Sequence, residues 1–162
     1  MADCRRECRG WDSCSKIGVM FSPSPHDVRR FFCEARRKQL EAAPLTPLEA
    51  IAADWIAGHP EYHAELADVD AALAATYPVE GGKTNPFLHL SMHLSISEQA
   101  SIDQPRGIRQ ALALLAARLG SAHEAQHAAM ECLGEMMWTA QRNGLPPDGE
   151  RYIECVRRRV TR

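Results

Sequence analysis

Residues 121–144 read SAHEAQHAAMECLGEMMWTAQRNG, and this stretch decides the fold class. Ser121 followed three residues later by Glu124 is a capping box: each side chain can satisfy a backbone N–H that a helix start leaves without a partner. Gly144, with Pro146 and Pro147 behind it, supplies the stop. Between these signals Met130, Cys132, Leu133, Met136 and Met137 give a helix its apolar side. The methionines at 92, 130, 136 and 137 read as core packing rather than as soft-metal ligands.

The same punctuation recurs upstream and downstream. Ser24-Pro25 opens a helix running to about Ala42, with Val28, Phe31, Phe32, Ala35 and Leu40 apolar and Arg29, Arg30, Arg36, Arg37 and Lys38 solvated. Thr46-Pro47-Leu48-Glu49 is a second capping box with proline at the first helical position, and Gly58 ends its helix. Pro60 starts a short helix to about Ala67, and Asp68 or Asp70 caps a further turn or two through Ala74. Tyr77 to Lys83 reads as a loop. Asn85-Pro86 opens a helix to about Ser101 that is apolar nearly all round, so it is expected in the middle of a bundle. Asp103-Gln104-Pro105 starts another that ends at Gly120, and Asp148 caps a last one from Gly149 to Arg159. No strand is expected anywhere. The reading is an all-α chain, one compact bundle of about six or seven helices without a sheet.

Composition narrows the function classes. Across 162 residues the formal charge is −2, which argues against a nucleic-acid binder. No apolar run approaches a membrane span and no apolar leader is visible, so the expected compartment is the cytoplasm. There the six cysteines are expected to stay mostly reduced. Residues 1–19 lack any apolar period and read as a disordered or mis-annotated leader, with the domain occupying 20–162. Cys4, Cys8 and Cys14 in that leader match no common zinc-finger spacing.

Six of the seven histidines fall into His-x-x-x-His pairs, at 59/63, 89/93 and 123/127. A random scatter of this composition gives about 0.3 such pairs. On a helix, four-residue spacing puts both rings on one side. Neutral imidazole is a ligand for zinc, iron, copper or nickel, and helical bundles build metal sites from side chains on facing helices. The expected ligands are therefore His89, His93, His123 and His127, with Glu131 one turn further along and His63 as an addition; the ion would be zinc or iron. His59 reads mainly as structural, fixing with Pro60 the entry of the next segment. If the pairs face each other, cooperating ring nitrogens should lie roughly 3–4 Å apart.

His123-Glu124-Ala125-Gln126-His127 also satisfies H-E-x-x-H, in which Glu124 would be the catalytic base of a zinc hydrolase. That class needs a third ligand and a cleft, commonly beside a strand, and no strand is expected here. Glu124-x-x-His127 is also the motif of di-iron bundles, but these need a second copy, which the chain lacks. A third alternative is a non-enzymatic helical interaction module, monomer or homodimer, whose histidines only complete the core.

From Met20 onward the motifs FSPSPHDVRRFFCEARRKQ, PLTPLEAIAADWIAGHPEYH, TNPFLHLSMHLSISEQ, HEAQHAAMECLGEMMW and QRNGLPPDGERYIECVRR resemble a bacterial domain-of-unknown-function family, number 1841. The resemblance spans nearly all of residues 20–160. Its members usually begin near Met20, which implies a misplaced start codon for the leader. It implies an all-helical domain and carries no assigned activity.

Overall fold

The computed structural model describes residues 23–78 and 84–161. The leader expected at 1–19 and most of the loop expected at 77–83 lie outside the described residues. Seven α-helices and one 3-10 turn make up the described chain, and no strand occurs among these residues. In chain order they are α1 (Pro25–Leu40), α2 (Pro47–Ala57), the 3-10 turn (Pro60–Tyr62), α3 (Val69–Ala74), α4 (Pro86–Ile102), α5 (Ile108–Leu119), α6 (Ala122–Asn143) and α7 (Gly149–Thr161).

Local chemistry explains most of the starts. Complete capping boxes hold the beginnings of α1 (Ser24 with Asp27) and α2 (Thr46 with Glu49). Asn85 accepts from the N–H groups of Phe87 and Leu88 at the head of α4. At α6 the Ser121 side chain accepts from Glu124 N.

Two boundaries differ from the sequence reading. After Pro60 only the 3-10 turn forms, followed by turns, and Asp68 then caps α3 as expected by accepting from Asp70 N and Ala71 N. Asp103 does not open α5. It closes α4 in the left-handed region at φ 53°, and its carboxylate accepts from Gly107 N and Arg109 N, so the helix begins at Ile108.

The core has two apolar clusters. Phe32, Ala35, Ala52, Ile56, Leu66, Phe87 and Leu90 fill one, between α1, α2, α3 and the head of α4. Ile96, Ile108, Leu115, Ala129, Leu133, Tyr152 and Val156 fill the other, between the tail of α4 and α5, α6 and α7. Helix α4 therefore runs through both and packs on α1, α2, α5 and α6, the central place expected of it, although Leu88 faces outward. Met92, Met130 and Met136 pack in the second cluster, whereas Met137 is exposed.

One expectation about cysteine is corrected. Cys132 on α6 and Cys155 on α7 form a disulfide with Cα atoms 5.8 Å apart, while Cys33 is free and buried. Packing of α6 against α7 brings the two positions within bonding reach, which no spacing in the sequence announces. No described helix is long and apolar enough to cross a membrane.

Candidate metal centre

Between the two apolar clusters lies a knot of imidazoles. The pairs on α4 and α6 face each other, and His59, from the turn that follows α2, enters between them. Its Nε2 lies 3.1 Å from Nε2 of His89, 3.1 Å from that of His123 and 3.5 Å from that of His127. His127 Nε2 is in turn 3.2 Å from His89 and 3.1 Å from His123. His93 completes the group: one ring nitrogen each from His59, His93, His123 and His127 fall within 4.8 Å of one another, a group that could hold a metal ion.

Backbone and side-chain partners aim these nitrogens. His59 donates Nδ1–H to the Trp55 carbonyl at 2.7 Å, which leaves Nε2 as a bare lone pair facing the group. His93 donates Nδ1–H to Gln126 Oε1 at 2.9 Å, and Gln126 in turn donates to Ser97 Oγ at 3.0 Å. Trp55 Nε1–H donates to the same hydroxyl at 2.9 Å, so one small network orients both a histidine and the indole over it. The indole stacks on His93 with centroids 4.0 Å apart, and Tyr62 stacks on His59 at 5.5 Å. His93 Nε2 is buried and has no hydrogen-bond partner.

These contacts cannot all be hydrogen bonds. The lone pair of His59 can accept from one neighbour, yet three imidazole nitrogens crowd it, and His127 is crowded by the same number. Each unrelieved contact sets lone pair against lone pair in a poorly solvated place. Burial also keeps the rings neutral. It lowers His89 to about 4 and His93 to about 3 from an ordinary 6.5, and lowers His127 as well, with the neighbouring imidazoles adding to each effect. Neutral imidazole is the form that ligates.

The other residues expected at the site lie elsewhere. Glu131 is exposed and pairs with Arg159 of α7 at 2.7 Å. Eight residues beyond His123 the helix has turned about 80° past two full turns, enough to hand the carboxylate to α7. His63 has both nitrogens occupied, Nε2–H donating to the Ile56 carbonyl at 2.8 Å and Nδ1 accepting from Arg36 at 3.1 Å. Because His59 precedes a 3-10 turn rather than sitting in an α-helix, four-residue spacing does not align it with His63. Glu124 is exposed, and with Glu61 it only partly offsets the lowering of His127. His59 is the member of this group that the sequence reading undervalues. Its signal was present: it belongs to one of three repeated pairs, directly before a proline that holds it out of the helix.

Gln126 supplies a test of this arrangement. Gln126→Leu keeps the volume but removes the acceptor that orients His93, so metal affinity should fall about 10–100-fold while helix content holds. Competition with a chelator of known affinity measures it, and unchanged affinity would remove Gln126 from the site.

The family model described as Domain of unknown function (DUF1841) matches residues 24–158. Among curated proteins and among solved structures, none matches this chain. The histidine centre, the helices that carry it and both apolar clusters all fall within the matched residues, and the chain belongs to the DUF1841 family.

Proposed function

We propose that this domain binds a divalent first-row transition-metal ion through the Nε2 atoms of His59, His93, His123 and His127, with His89 as a fifth donor. The observation that carries the reading is the crowding of ring nitrogens: His59 Nε2 meets those of His89 and His123 at 3.1 Å each, beside the buried, partnerless Nε2 of His93. A cation at their centre turns every one of those repulsions into a bond. Spacings of 3.1–3.5 Å, combined with ligand bonds of about 2.1 Å, subtend about 95–113° at an ion. Such angles are compatible with tetrahedral zinc and with five- or six-coordinate ferrous iron. The donor set contains no carboxylate, so it leaves the ion's charge uncompensated and favours the divalent over the trivalent state. The histidines bind and orient, Trp55 and Tyr62 exclude water, and the ion supplies Lewis-acid or one-electron chemistry when bound.

The hydrolase reading asks for an open ligand position beside Glu124, and no observation favours that role. Elemental analysis of untagged protein, handled without oxygen, tests the proposal. About one equivalent of iron or zinc per chain is expected. Protein that carries no transition metal and takes up neither ferrous iron nor zinc in titration would overturn it, leaving the histidines as core residues of an interaction module.

A further inference from the structure

Along α6 from its middle toward its C-terminus, the Cys132–Cys155 disulfide borders a cavity of about 290 Å³ between α6 and α7. Met136, Asp148, Tyr152 and Arg158 also line it. The two sulfurs are not equivalent. Cys132 is buried and Cys155 is half-buried. Arg159 donates Nε–H to Cys132 Sγ at 3.2 Å, while its Nη1 holds the exposed carboxylate of Glu131. Tyr152, which lines the cavity, is itself buried.

From this asymmetry we infer that Cys132–Cys155 is a thiol–disulfide exchange site for a low-molecular-weight thiol. The thiolate of the incoming molecule enters the cavity and attacks Cys155 Sγ, the more accessible sulfur. The S–S bond breaks, its electron pair goes to Cys132 Sγ, and the guanidinium of Arg159 already in contact stabilises that thiolate. A second thiol then attacks the mixed disulfide on its external sulfur and releases Cys155. In sum, two thiols are oxidised to one small disulfide, and the protein disulfide is reduced to two thiols with the same two protons. The reverse sequence re-forms the bond from a small disulfide. A leaving thiolate of lowered proton affinity departs faster, which is the work assigned to Arg159. A cavity of this size admits the chain of a small thiol. This inference is independent of the metal reading.

The test uses the folded full-length chain with reduced glutathione and, separately, dithiothreitol, followed by differential alkylation and peptide mass spectrometry. That readout isolates the peptides bearing Cys132 and Cys155 from those of the other four cysteines. Reduction is expected without denaturant. Arg159→Ala should slow it about ten-fold and Arg159→Lys less, because the leaving thiolate loses its cation. Mere loosening of the α6–α7 contact has the opposite sign, since an exposed bond reduces faster. In Cys132→Ser, oxidised glutathione should form a mixed disulfide at Cys155. Reduction only in denaturant, a rate in Arg159→Ala equal to or above that of the native chain, or no adduct at Cys155 would each overturn the assignment.

Discussion

His127→Ala should abolish stoichiometric metal binding and leave the helices in place. Nε2 of this residue touches those of His59, His89 and His123, so its removal opens one side of the group rather than trimming an edge. Affinity is expected to fall by more than the roughly 10–100-fold typical of losing a supporting residue behind a ligand. Stability provides the second readout. An ion present at about a thousand times its dissociation constant adds about 4 kcal/mol to the folded state by mass action. Native protein should therefore lose many degrees of melting temperature on chelation, whereas the His127→Ala protein should melt at one temperature with or without chelator. The metal-free variant should be no less stable than metal-free native protein, since it carries fewer opposed lone pairs. A variant that retains one equivalent of metal would show that the ion, if any, sits elsewhere.

Acid should destabilise the metal-free protein over a defined window. His89 and His93 are held neutral by burial, at about 4 and about 3, against 6.5 for an ordinary histidine. Between those values the unfolded chain binds protons that the folded chain refuses. Stability therefore rises with pH across the window: it is fully present above about 6.5 and is lost progressively as pH falls toward 3. His93 should dominate, because its ring is fully enclosed beneath Trp55 whereas His89 keeps some solvent. Melting temperatures of chelator-treated protein between pH 7.5 and 4.5 measure this. His93→Gln should flatten the slope. A profile equally steep in that variant would assign the acid sensitivity to other groups.

The helices were legible because their ends are written in local chemistry. Ser24, Thr46, Asn85 and Ser121 each bond to backbone within three residues of themselves, so no distant part of the chain is needed to read them. After Pro60 the sequence reading ran the helix too far. Two of the three histidine pairs were legible for the same reason, since helical spacing alone puts 89 with 93 and 123 with 127 on common faces.

What the sequence by itself determined is an all-helical chain, with two imidazole pairs and their helices. Only the tertiary structure decided which side chains meet. It turned Glu131 toward Arg159, closed His63 onto the Ile56 carbonyl and Arg36, and brought Cys132 to Cys155 across two helices. It also placed His59 at the centre of the group, through a turn whose direction depends on how α2 packs against α4. The physical reason is one of range. A cap or a helical pair is an interaction over three or four residues, whereas the contact of His59 with His123 spans 64 positions and exists only once both apolar clusters have closed around it.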